Sequence, residues 1–241
     1  MQIEMVDILA AISETAVSML LIAFLVFFSP SNVAMKRRLA IILGSWFVAI
    51  VGLAAVGVFG ANRVSGVIAV GMAVLVPVII ALAVALLPGV RAIARGLPLA
   101  LLVALNIGRL VGAFFLILFD DGRLPSTFAH SAAWGDITTA VLAIPVARMI
   151  YQRTSGWRVT TLVWSIFGLA DLVVAVCLGV GSAPKFPLRF IFDAGNTDII
   201  GLLPWVLIPG FLVPLYIILH LTVFYQLTVE FLRVRRMIQT V

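Results

Sequence analysis

The sequence predicts an all-α polytopic membrane protein with seven transmembrane helices. Three observations carry that expectation. Hydrophobic residues make up 63% of the 241-residue chain and charged residues only 11%, and the mean hydropathy is +1.24. About a quarter of an average soluble chain is charged, and a soluble domain of this length cannot hide so much apolar side chain. The apolar residues fall into runs of about 20, the length that crosses the hydrocarbon as a helix. The runs are separated by short clusters of Pro, Gly, Asn, Ser and charged residues, which are turn-forming types.

The first run spans 6–28 and opens from the acidic "MQIEMVDILA". It has no basic leader and no small-residue cleavage site, so it is read as a retained helix and not a signal peptide. A second run, 39–60, follows Ser29-Pro30-Ser31-Asn32 and the basic trio Lys36-Arg37-Arg38. The third, 67–87, follows Ala61-Asn62-Arg63, and the fourth, 97–119, follows Pro88-Gly89. A mixed stretch from Asp120 to Trp134 reads as an external turn before the fifth run, 132–150. The sixth, 159–181, starts beyond Arg153–Gly156, and the seventh, 203–228, beyond Ser182–Asp198. All seven belong to one domain, 1–241.

Loop charge sets the orientation. On one side the connections hold Arg63, Arg123, Lys185 and Arg189, four cations. On the other side are Lys36, Arg37, Arg38, Arg91, Arg95, Arg148, Arg153, Arg158, Arg233, Arg235 and Arg236, eleven cations. Basic loops stay in the cytoplasm. The expectation is an outside N-terminus and a cytoplasmic C-terminus. The net charge of +6 is then a property of cytoplasmic loops and points to no nucleic-acid partner. The single cysteine, Cys177, cannot form an internal disulfide.

Glu14, Arg109, Asp136, Asp171 and His220 lie inside the runs. At 1.5 Å per residue, Glu14 is about 12 Å deep, Arg109 and Asp171 about 15 Å, and Asp136 about 6 Å. His220 falls about 26 Å from the outer end of its helix, near the cytoplasmic interface, as a polar or packed histidine. A charge at the bilayer centre costs roughly 2.5–3.5 kcal/mol even on insertion scales, so these groups are expected to face inward and pair. Arg109 has a guanidinium fork able to bridge two carboxylates, and Asp171 is the favoured partner because the depths agree. Acids outnumber the base, so the layer is also expected to hold a proton. Asn106, Arg109 and Gly112 recur every three residues and share a helix face. The ligand- or ion-binding candidates are therefore Arg109, Asp171, Asp136, Glu14 and Asn106; no catalytic or metal-binding residue is assigned. Trp134 and Trp205 near the outer boundary and Trp157 near the inner one read as interface anchors. Pro204, Pro209 and Pro214 read as kinks in the seventh helix.

A slide of 62 residues places Arg109 on Asp171, Asp136 on Asp198 and Arg123-Leu124-Pro125 on Lys185-Phe186-Pro187. This suggests a parallel hairpin repeat, 109–147 on 171–209, and repeat interfaces are common binding positions in transporters.

Several chemistries are argued against. A retinal pump needs a lysine in the last helix, and the only lysines are Lys36 and Lys185. His130 and His220 are too far apart in depth to share a haem iron. Two histidines and one cysteine do not make a usual zinc site. There is no nucleophile elbow and no phosphate-binding glycine loop, and the sequence names no cofactor. The segments "GRLP", "FA" and "GD" (122–136), "ADLVVAV" with "SAP" (170–184) and "LPWVLIPGFLVP" (203–214) together resemble an uncharacterised family of bacterial seven-helix inner-membrane proteins. The resemblance covers helices four to seven. It implies that fold and a bacterial cytoplasmic membrane, and it transfers no activity. Proline often occupies the His130 position there, which argues against an essential role for His130.

The functional expectation is an outward-facing polar pocket within the membrane that binds, and in its fullest form carries, a small solute or a proton. One alternative is an accessory membrane subunit whose buried ion pairs only hold helices together. The other is a membrane-embedded enzyme acting on a lipid-soluble substrate.

Overall fold

The computed structural model describes residues 4–60 and 64–239, with side chains described as far as Leu232. Arg63, one of the loop cations, lies outside the described residues, as do the side chains of Arg233, Arg235 and Arg236. The helices are α1 (Met5–Phe28), α2 (Val33–Ala55), α3 (Val64–Val84), α4 (Pro88–Gly96), α5 (Leu99–Ala104), α6 (Phe114–Asp120), α7 (Ser126–Gln152), α8 (Trp157–Gly181) and α9 (Val213–Gln239). A 3₁₀ segment, Leu105–Ala113, joins α5 to α6 in one continuous rod, and a π turn, Ile208–Leu212, leads into α9. Among the described residues there is no strand. Among the described residues seven helical spans are long and apolar enough to cross a membrane: 5–28, 33–55, 64–84, 99–120, 126–152, 157–181 and 208–232.

The centre of the bundle is α7, packed on α8, the 3₁₀ segment, α5 and α6, with α9 closing the other side. In the last span 61% of the crossing window is buried, against 11% in α2 and α3. The second and third helices are therefore peripheral, and the charged residues belong to the well-packed half.

Four sequence expectations change. The stretch after Asp120 is not a long turn, because α7 begins at Ser126. Ala129, Ala132 and Ala133 are buried, so this polar-looking beginning packs closely on its neighbours, and its carboxylate has a cation to meet. Trp205 is not an interface anchor. It is 1% exposed, and its indole N–H donates to Asp7 at 2.9 Å. Trp157 is likewise buried, with the guanidinium groups of Arg153 and Arg158 at 4.7 and 4.8 Å from the ring centre. Trp134 does face outward, 57% exposed. Finally, the 62-residue slide sets the start of α7 on residues 188–207, which are turns, irregular chain and a short 3₁₀ turn (Asp198–Gly201). Asp198 lies in that turn, whereas Asp136 lies mid-helix. Pro204 interrupts this stretch and Pro184 and Pro187 lie just before it, and a proline cannot supply the helical N–H.

The prolines of the last span are absorbed without a break. Pro209 occupies the first turn of the π segment, and Pro214 the first turn of α9. Pro214 has no N–H for the carbonyl of Gly210, four residues back. The indole of Trp46 donates to that carbonyl at 3.1 Å and ties α2 to the last crossing.

The connection 182–207 also seats α7. The Asp193 carboxylate accepts from the backbone N–H of Thr127 at 2.9 Å. Its hydrogen bonds to Thr127 hold the Asp193 carboxyl below the usual carboxylate range. An acid at a helix N-terminus suits both the unsatisfied N–H groups and the dipole there.

Candidate functional site

The fourth crossing carries the centre of the site on an uncommon helix. Runs of 3₁₀ longer than three or four residues are rare, and mid-helix stretches mark hinges or strain; this one has nine residues. With three residues per turn, side chains at i and i+3 eclipse. Asn106, Arg109 and Gly112 therefore stand in one row, where an α-helix would wind them apart.

Arg109 is 1% exposed, and each of its three side-chain nitrogens donates. Its Nε donates to Asp136 Oδ1 of α7 at 2.6 Å. Its Nη1 donates to the Gly168 carbonyl of α8 at 3.0 Å, and its Nη2 donates to Asp171 Oδ2 of α8. One guanidinium thus ties three crossings together. The planar fork makes this possible, as a lysine ammonium would act only as a point charge. The expected shallow position of Asp136 is overturned. It lies ten residues inside α7, about 15 Å along the axis, level with Asp171 and Arg109.

Glycines make the sockets for these side chains. A Cβ on Gly112 would fall on the Asp136 side chain, and one on Gly135 would fall on the Asp171 carboxylate. A Cβ on Gly168 would lie 2.6 Å from His220 Cε1, and one on Gly108 would lie 2.5 Å from Tyr216 Oη. Each of these four groups rests on a neighbouring helix where only hydrogen projects. Small residues allow such close approach in membranes.

Not all the candidates meet. Glu14 is fully buried at a similar depth on α1, but among the described residues neither of its carboxyl oxygens has a hydrogen-bond partner, Arg109 included. Asn106 turns its amide N–H back to the Leu102 carbonyl at 3.0 Å, and its Oδ1 has no hydrogen-bond partner among the described residues. His220 is not interfacial. It is fully buried, bonded through Nδ1 to Ser165 Oγ at 2.9 Å and packed on Trp164 with ring centres 5.1 Å apart.

A second charged cluster went unread in the sequence. Asp7 on α1 is 6% exposed and accepts from Arg123 Nη2 at 2.8 Å as well as from Trp205. It fastens α1 to the turn after α6 and to the approach to the π turn. Opposite charges at neighbouring helix ends were the available signal, but no sequence spacing links positions 7, 123 and 205.

Beside the Arg109 layer lies a cleft with about 770 Å³ of empty space, counted to its open mouth. Its walls come from α3 (Val67, Val70, Gly71, Val74), from α8 (Val176, Val180) and from the π turn. Phe115 and Phe128 also line it, and the one acidic residue on its surface is Asp136. The lining is otherwise almost wholly apolar.

No curated protein and no solved structure matches the chain. A family model described as Domain of unknown function (DUF8737) matches residues 67–228, which run from α3 into α9 and include the cleft, Arg109, Asp136 and Asp171. That match spans more than half of the sequence, and the chain belongs to this family.

Proposed function

We propose that the protein binds, and carries, a small molecule with an apolar body and a cationic or proton-donating end, in the cleft that ends on Asp136. The carrying observation is that Asp136 both lines this apolar cleft and bonds to Arg109. Arg109 supplies one positive charge against two carboxylates, so the triad has a formal charge of −1 when both are ionised. In a low-dielectric setting an unbalanced charge calls for a counter-charge, and a cation or a proton supplies one. Pockets of this kind, apolar with a few polar anchors, are the usual form of small-molecule sites. Intramembrane ionisable groups are functional candidates by default.

The cleft lies in the half of the bundle capped by the 121–125 and 182–207 connections. On the loop charge bias that half is the outer one. The other half is filled by buried Trp157, Trp164, Val223 and Leu227. The reading is therefore an outward-open site in a bacterial cytoplasmic membrane, with the N-terminus outside. A fluorescent protein fused after Val241 is expected to glow, and alkaline phosphatase at the same place to be inactive. The opposite pair of results reverses the orientation.

The binding reading is tested with a lipophilic cation, tetraphenylphosphonium, by flow dialysis against the protein in nanodiscs, with empty nanodiscs as background. Saturable binding is expected. Gly71→Leu adds bulk on the α3 wall of the cleft, at a position where a Cβ meets nothing within 4 Å. It and Asp136→Asn are each expected to weaken binding by at least about tenfold, a factor worth about 1.4 kcal/mol. A second reading is favoured by the mutual satisfaction of Arg109, Asp136 and Asp171, which would hold helices together without any ligand. Absence of saturable binding, or equal binding in both variants, decides for that accessory role.

A further inference from the structure

Glu14 stands apart from the Arg109 layer, and its surroundings point to a different task. It is 0% exposed, and both carboxyl oxygens lack a partner among the described residues. The elements packed against α1 are α2, the 3₁₀ segment, α6 and the π turn. The charged groups of α2 are Lys36, Arg37 and Arg38 in its first turns, at the far end of α1, where Lys36 donates to the Phe27 carbonyl at 2.7 Å. The 3₁₀ segment offers Arg109, which is committed to Asp136, Asp171 and Gly168. On α6 the titratable group is Asp120, exposed at its last residue, and the π turn has none. On α1 itself Asp7 is two turns outward and held by Arg123 and Trp205. Tyr216, just beyond the π turn, brings its hydroxyl to Gly108 beside Val17, one turn from Glu14, and that hydroxyl also has no hydrogen-bond partner among the described residues.

A hard metal cation needs several oxygen ligands. Among the described residues no group of three or more His, Cys, Asp or Glu is placed to hold one. A proton needs a single oxygen. An ionised carboxylate left unpaired in apolar packing is so costly that such a group takes up a proton instead.

We propose that Glu14 is a proton-binding site of the protein, separate from the Arg109 layer and occupied by an exchangeable proton. A second observation makes the proposal testable. A groove between α1 and the 3₁₀ segment runs along Val17, Leu20 and Phe24 on one wall and Leu105, Gly108 and Val111 on the other. It starts at Val17, one turn from Glu14, and has no charged residue in its lining, so a lipid-soluble reagent is expected to approach Glu14 along it and a charged one is not.

Dicyclohexylcarbodiimide reacts with the acid form of a carboxyl group. The carboxyl oxygen bonds to the central carbon while the carboxyl proton goes to one nitrogen, and the acyl group then migrates from oxygen to the other nitrogen as a stable N-acylurea. No further reactant is consumed. The full chain in liposomes, treated with this reagent and read by peptide mass spectrometry, is expected to carry the adduct at Glu14 and not at Asp136 or Asp171. Above the Glu14 pKa the labelling rate is expected to fall by about tenfold per pH unit, following the fraction of acid. Glu14→Gln is expected to keep the wild-type melting temperature, since an amide replaces a neutral acid of the same shape, whereas Asp136→Asn lowers it. Lack of a Glu14 adduct, pH-independent labelling, or labelling by a charged water-soluble carbodiimide each overturns the proposal. So does a Glu14→Gln loss as large as that of Asp136→Asn.

Discussion

Arg109→Ala is expected to destabilise the protein by about 3–5 kcal/mol, the cost of removing one partner from a buried, hydrogen-bonded charge group. The Asp136 and Asp171 side chains, 14% and 9% exposed, would be left facing each other with no cation between them. The Gly168 carbonyl would lose its donor as well. Arg109→Lys is expected to fall between, because an ammonium keeps the charge but cannot span two carboxylates and a carbonyl in one plane. Thermal unfolding in a mild detergent reads the order wild type, Lys, Ala. The double variant Arg109→Ala with Asp171→Ala is expected to lose less than the sum of the singles, the signature of residues in direct contact. Additive losses would show that the pair is not coupled.

The same variants separate the two functional readings. If Arg109 serves only to hold α7 and α8 against the 3₁₀ segment, a double variant that regains stability has regained everything the residues do. If the triad is the floor of a binding cleft, tetraphenylphosphonium binding stays lost in that double variant, because the arrangement presented by Asp136 is gone. Stability and binding then move independently.

The seven crossings were legible because lipid imposes a simple composition rule on any helix that spans it. The partners of Arg109 were legible in part for a related reason. So few charges can be tolerated inside the hydrocarbon that a lone arginine has few acids to choose from. What misled was depth. Asp136 follows Ser131, Trp134 and Gly135, a stretch that reads as a turn until its alanines are seen to pack. Trp205 misled in the same way, since indole N–H groups suit an interface and a buried carboxylate equally well. Glu14 shares the layer's depth yet faces another side of the bundle, and helical rise alone carries no rotational information between helices. The 3₁₀ segment was hidden because Leu105–Ala113 has ordinary helical composition. The three-residue recurrence of Asn106, Arg109 and Gly112 was its visible trace.

Gly135→Ala is expected to be nearly as damaging as Arg109→Ala, although it removes no contact. The added Cβ falls on the Asp171 carboxylate. Asp171 must then withdraw from Arg109, or α7 and α8 must part along a tightly packed seam. Overpacking costs about 1–3 kcal/mol. Withdrawing one acid from a buried guanidinium adds part of the few kcal/mol that a broken pair costs. The better helix propensity of alanine returns only about 1 kcal/mol. Gly71→Ala isolates that last contribution, since its Cβ meets nothing within 4 Å, and it is expected to be neutral or slightly stabilising. Two glycines on spanning helices thus give opposite signs for the same substitution. Adding Asp171→Ala to Gly135→Ala removes the group that is struck, so the pair is expected to be clearly milder than additive in thermal unfolding. If Gly135→Ala behaves like Gly71→Ala, the socket is not filled by Asp171, and the close seating of the acid against α7 is wrong.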